Sequence, residues 1–131
     1  MEHTTEEQSK KLIELGLDAE TADLVFVYCP LAGTITNVHE IREDFKPEPN
    51  DIPCWSFSKL IELLPKRVNE YFLRIDFKYS SIGYYDEDTP LYPCLFIKES
   101  LMDAAVELFY WILEKKYYTK SIRDNDVFIL I

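Results

Sequence analysis

Glycine is scarce, with three in 131 residues, and that scarcity argues against a glycine-rich loop of the kind that cradles phosphates. No P-loop, dinucleotide fingerprint or Gly-x-Ser-x-Gly elbow occurs. Histidine is limited to His3 and His39, and cysteine to Cys29, Cys54 and Cys94. Their spacings match no zinc or redox motif, so reduced structural thiols in a cytoplasmic protein are the expectation, with no cofactor and no metal. Asp86, Glu87 and Asp88 lack the glycine and distal glutamate of a calcium loop. No apolar run approaches the roughly 20 residues needed to cross a bilayer. The first residues are polar and carry no secretory hydrophobic region. Secretion and membrane insertion are therefore not expected.

Cations are also in the minority, 14 Lys+Arg against 24 Asp+Glu, for a formal net charge of −10. A self-field of that sign disfavours direct binding to a phosphate backbone. The plain reading is a solvated acidic surface that keeps the protein soluble. The sharper alternative is an acidic DNA mimic that inhibits a nucleic-acid-binding protein, which requires the carboxylates to gather on one elongated face.

What the chain does have is aromatic side chains, nine Tyr, eight Phe and two Trp, a content incompatible with disorder. At this length one α+β domain spanning 1–131 can bury about two-thirds of its unfolded surface. Residues 100–116 (SLMDAAVELFYWILEKK) organise it. Ser100 and Asp103 read as a helix start. Met102, Ala105, Val106, Phe109, Ile112 and Leu113 recur at helical spacing, flanked by further apolar residues. Asp103, Glu107, Tyr110 and Glu114 leave only a narrow polar stripe. A helix this apolar needs cover from a sheet and at least one other element.

The other elements follow in order. Thr4 and Glu7 suggest a capping box for a first helix to about Leu15, stopped by Gly16, and Asp18 caps a second short turn. Residues 24–29 read as a strand covered on both faces, returning as a hairpin through residues 34–38. Residues 39–51 form the longest loop candidate. Residues 56–64 read as a short helix stopped by Pro65. Residues 71–79 alternate most clearly, with Tyr71, Leu73, Ile75, Phe77 and Tyr79 on one face and Arg74, Asp76 and Lys78 on the other. Residues 82–86 and 91–98 continue a meander. An antiparallel sheet of four to six strands, the long helix packed on it and shorter helices completing the core is the resulting architecture. The tail, Val127 to Ile131, reads as a strand paired within the chain, with strand addition to a second copy or a partner as the alternative.

Three stretches taken together carry a resemblance: residues 8–17 with Thr21, Ala22 and Asp23; residues 52–56 with Leu63, Leu64 and Pro65; and Asp103, Ala104 and Ala105 with residues 111–114. Over roughly residues 5–118 the chain resembles an uncharacterised family of small proteins of Bacteroides-type gut bacteria, their prophages and mobile elements. Members of that group stop soon after the last helix, so the segment after Tyr118 departs from the pattern. The resemblance implies a cytoplasmic accessory protein and assigns no activity, ligand or catalytic residue.

Candidate chemistry is thin. Cys54, just ahead of a helix start, is the best-placed thiol, and His39 is its one plausible base, which makes a cysteine-dependent enzyme using Cys54 and His39 the enzymatic alternative. The competing reading is that Cys54 and Trp55 plug the core. Tyr84, Tyr85 and Tyr92 suggest an aromatic platform, but without basic neighbours cross-strand packing is the better reading. The expected function is a non-enzymatic protein-interaction module that binds another protein or itself.

Overall fold

The computed structural model describes residues 2–41, 48–68, 71–86, 88, 94–115 and 127–128. The chain divides into two compact units, Met1–Lys59 and Leu60–Ile131.

In the first unit, helix α1 (Glu6–Glu14) opens on a capping box one residue later than the sequence suggests. Thr5 accepts from the Gln8 N–H and the Gln8 side chain accepts from the Thr5 N–H. Thr4 is displaced from capping because it is fully buried and serves Trp55 instead. Gly16, at φ +114°, ends the helix as expected. Asp18 then caps a single 3₁₀ turn over Ala19–Thr21 by accepting from Glu20 N–H. Strands β1 (Leu24–Cys29) and β2 (Thr34–Glu40) form the anticipated hairpin. β1 is central, with the unanticipated β3 (Ile52–Cys54) on its other side. Pro53 is accommodated there because an edge strand tolerates a residue with no N–H to donate. A register shift in β1 lies between Val27 and Tyr28, and Asp51 accepts from the Tyr28 N–H at 2.8 Å. Of the long loop candidate, residues 42–47 lie outside the described residues.

Helix α2 (Phe57–Leu63) follows, and the division between the units falls within it. The second unit is a meander of β4 (Arg67–Val68), β5 (Tyr71–Asp76), β6 (Ser81–Tyr85) and β7 (Cys94–Ile97), then helix α3 (Leu101–Glu114) and β8 (Val127–Phe128). The sheet order is β7-β6-β5-β4-β8, antiparallel except that β8 runs parallel to β4. Its five strands and the packing of α3 on β6 and β7 match the architecture expected from sequence. Within the tail, Val127 and Phe128 pair with the chain's own β4, while residues 129–131 lie outside the described residues.

Ser100 caps α3 by accepting from the Asp103 N–H. Nine of the helix's residues are buried, from Met102 to Leu113. The expected polar stripe is narrower still, because Tyr110 is buried as well. Strand β5 is shorter than its alternation suggested. Asp76 Oδ1 accepts from the Lys78 N–H and Ser80 takes a left-handed φ of +50°, so the chain turns at 77–80. Phe77 and Tyr79 consequently lie in the turn, 73% and 61% exposed, rather than on the buried face. Among the described residues no helix is long and apolar enough to cross a membrane.

Gly83 marks the closest approach of β6 and β7. A Cβ there would meet the Cys94 carbonyl oxygen at 2.3 Å and Leu95 Cα at 2.9 Å, both backbone atoms that cannot swing aside. Gly83→Ala is expected to destabilise by about 1–3 kcal/mol, lowering the thermal midpoint by at least about 4 °C. An unchanged midpoint would rule out this strand spacing. Ending the chain at Tyr118 removes β8 and uncovers the outer edge of β4. That variant should keep its far-ultraviolet circular dichroism spectrum but melt at lower temperature, and an identical melt would mean the parallel pairing contributes nothing.

Candidate functional site

The proposed Cys54–His39 pair does not assemble. His39 lies opposite Val25 across β1–β2, whereas Cys54 lies opposite Leu24 across β1–β3. With β1 between them the two residues are roughly 10 Å apart across the sheet, given the ordinary strand spacing. Neighbouring residues of β1 point to opposite faces, so the two side chains do as well. Cys54 packs with Leu24 and Phe26 in a cluster edged by Ile35, Val38 and Ile52. Burial, and secondarily the Asp23 carboxylate, push its thiol from 9.0 to about 12. The helix-start position that suggested a thiolate is outweighed by both effects, and Cys54 is core. His3 is bridged to Ser56 and stands edge-on to Phe26 with ring centroids 5.4 Å apart.

The polar groups around Trp55 are fully used by the fold. The Trp55 N–H donates to Thr4 Oγ1 and the Thr4 N–H donates to the Trp55 carbonyl. Ser9 Oγ donates to the Thr5 carbonyl, so its 2.8 Å contact with Thr4 must take its proton from Thr4. The indole N–H donates to Thr21 Oγ1. Asp23 accepts from both the N–H and the hydroxyl of Ser56, at 2.9 and 2.5 Å, while Ser56 Oγ accepts from the Lys59 N–H in the first turn of α2. A carboxylate beside a serine hydroxyl resembles a catalytic pair, yet here the serine caps a helix, and the histidine bridged to it, His3, hydrogen-bonds the Thr4 carbonyl through Nδ1 and stands edge-on to Phe26. Beside the serine lies a cavity of about 430 Å³, lined by Glu2, Asp23, Glu40, Ser56 and Ser58. Among the described residues no cluster of three or more ligating side chains is placed to hold a metal ion.

The second unit offers a different kind of surface. Tyr84 marks the α3 side of the sheet, its ring centroid 6.3 Å from that of Trp111, its side chain fully buried and its hydroxyl donating to the Pro65 carbonyl. Alternation then places Phe72, Arg74 and Asp76 of β5, Ser81, Gly83 and Tyr85 of β6, and Leu95 and Ile97 of β7 on the opposite face. Arg67 of β4 joins them directly across from Phe72. Phe72, Leu95 and Ile97 are 47%, 40% and 62% exposed. The Arg67 guanidinium lies 5.4 Å from the centre of the Phe72 ring, and that of Arg74 lies 4.9 Å from the centre of the Tyr85 ring. Each such stack contributes about 0.5–1 kcal/mol at an exposed site. At the adjacent turn, Lys78 Nζ stands 5.3 Å from the exposed Tyr79 ring.

The tyrosine platform is thereby split. Tyr84 belongs to the core, Tyr85 to the open face, and Tyr92 lies outside the described residues, as does Glu87 of the acidic turn. The basic residues thought to be missing beside Tyr85 are supplied by β4 and β5. Period-two spacing did group Arg74 away from Leu73 and Ile75, but Arg67 sits in a strand too short to recognise and Leu95 is distant in sequence. Comparison with protein-family models, curated proteins and solved structures finds no match to this chain.

Cys54 and Cys94 are both buried thiols, one in each unit. Burial holds both thiols near 12, against 9.0 without the fold. Because the folded value is the higher one, their contribution to stability is intact below about pH 9 and is lost as pH rises toward 12. The urea midpoint should therefore fall steadily above pH 9, and a flat profile to pH 11 would contradict the burial. At pH 8 iodoacetamide should modify the half-buried Cys29 and spare Cys54 and Cys94 until urea is added.

Proposed function

We propose that the protein is a non-enzymatic interaction module, a cytoplasmic accessory protein of phage or mobile-element type, and that it binds another protein through the open face of the five-stranded sheet. The observation that supports this reading is the combination on that face of exposed Phe72, Leu95 and Ile97 with two arginines stacked on aromatic rings. Exposed aliphatic and aromatic groups gathered on one surface, with arginine among them, are the composition of interaction hot spots. The strands β4 to β7 carry Arg67, Arg74 and Asp76 as their charged residues among the described positions, a local balance opposite to the chain's net −10. The enzymatic alternative has lost its assembled pair, since Cys54 is buried and His39 lies on the other face of its sheet.

The test uses the full chain as bait in a lysate of a Bacteroides-type host, alongside Leu95→Glu and a control change at Leu31, which is fully exposed in the β1–β2 turn. A protein retained by the wild type and the Leu31→Glu control but lost with Leu95→Glu supports the reading. Equal capture by all three baits, with all three folded by circular dichroism, argues against this face.

A further inference from the structure

The five-stranded sheet has a free edge as well as an open face. We infer that β7 pairs with β7 of a second copy, antiparallel about a twofold axis at Phe96, joining two five-stranded sheets into one. The pairing uses backbone groups at the edge and does not depend on what the open face binds.

Two contacts fix which way the backbone of β7 points. The Lys98 N–H donates to the Ser80 carbonyl at 3.3 Å, and the Cys94 carbonyl oxygen stands where a Cβ on Gly83 would strike it, so both residues turn their backbone groups toward β6. That direction alternates along an antiparallel strand. Ser81–Tyr84 and Cys94–Ile97 pair in unbroken register, so Phe96 also faces β6, and the N–H and C=O of Leu95 and Ile97 face away from it. Among the described residues no strand lies on that side, because β7 ends the sheet.

Edge strands are ordinarily guarded by charge, proline, a bulge or shortness. At the edges of the first unit's sheet, β2 carries His39 and Glu40 and β3 carries Pro53. At the far edge of the second sheet, β8 spans two residues. β7 reads Cys-Leu-Phe-Ile, with neither charge nor proline and no register shift against β6.

A second β7 matches this edge group for group. With Phe96 opposite Phe96, Leu95 of each copy lies opposite Ile97 of the other, and every outward N–H and C=O of both strands is bonded. No other antiparallel register does this within Cys94–Ile97. The side chains agree with it. Phe96 lies on the α3 side of the sheet with Ile82 and Cys94, yet is half-buried where they are buried, and the two Phe96 rings would meet as a close non-hydrogen-bonded pair. On the open face Leu95 and Ile97, 40% and 62% exposed, would each gain the other's counterpart as a neighbour. The charged residues that follow the strand, Lys98, Glu99 and Asp103, are of mixed sign, and Arg67, Arg74 and Asp76 lie on β4 and β5. The two β5 strands would stand five strand spacings apart, roughly 24 Å, beyond the screening length of about 10 Å in 0.1 M salt. The opposing term is the repulsion of two chains of net −10, which salt weakens.

The test is light scattering on the full chain from micromolar to millimolar concentration, with amide hydrogen exchange read residue by residue at both ends of the series. The expected result is a dimer at high concentration that tightens as salt is raised. The Leu95 and Ile97 amides should exchange more slowly in the dimer, while the Phe96 amide, bonded to β6, does not change. Ile97→Pro deletes an outward N–H and none of the bonds to β6, and should raise the dimer dissociation constant at least about tenfold. Phe96→Lys sets two like charges across the axis and should leave a monomer. Circular dichroism establishes that the variants fold, and the exchange pattern of the wild type decides the matter if either does not. A monomer at every concentration, a dimer that neither folded variant weakens, a dimer that salt dissolves, or Leu95 and Ile97 amides indifferent to concentration overturns the inference. A dimer lost with Leu95→Glu but kept with Ile97→Pro would belong to the open face. A protein captured from a lysate by a monomeric wild type and lost with Ile97→Pro would give the edge to a strand of another partner. Either result also overturns the inference.

Discussion

The second unit depends on α3, a helix apolar around nearly its whole circumference, being seated on one face of a sheet. A strand has two faces, and burying one beneath a helix fixes which residues are left on the other. Tyr84, Ile82 and Cys94 go to the helix side and are buried, while Phe72, Arg74, Leu95 and Ile97 go to the far side. The open face is therefore not an independent feature. It results from the same register that builds the core, and a one-residue slip would exchange the two sets of side chains.

The first unit solves a different problem with polar groups. Its strand β3 is short and contains proline, so the ladder alone is a weak anchor for the segment leading into α2. Buried hydroxyls compensate. Thr4, Thr21 and Ser56 satisfy or are satisfied by Trp55 and Asp23, and every contact is between residues far apart in sequence or at a helix start. Buried polar groups that are fully paired fix one arrangement, because any alternative packing would leave a donor orphaned. This explains why the serine and carboxylate beside the cavity are better understood as scaffolding than as reactive groups.

Much of the fold was legible in the sequence because its strongest signals are local. The period of α3, the Ser100 cap, Gly16 and the hairpin at 24–38 each depend on side chains within a few residues of one another. The losses came where a distant partner decided the outcome. Thr4 looked like a cap and is instead claimed by Trp55, fifty-one positions away, so the cap moves to Thr5. The three-residue edge strand β3 went unread because its partner, β1, lies more than twenty positions away. Phe77 and Tyr79 kept the alternation of β5, but Asp76 turned the backbone under them. The candidate site was less legible still. Arg67, Phe72, Arg74, Tyr85, Leu95 and Ile97 come from four strands, and only the pairing of those strands places them together.

The arginine stacks resolve a tension in any open sheet face. Exposed aromatic rings on a flat sheet invite unspecific association between copies. A guanidinium 5.4 Å from the centre of the Phe72 ring and another 4.9 Å from that of Tyr85 keep hydrated cations beside the two rings. A lysine would supply the charge but not the planar group that stacks on a ring. The cations that keep the face hydrated and the rings that make it apolar are thus brought together by the same strand pairing, Arg67 with Phe72 and Arg74 with Tyr85.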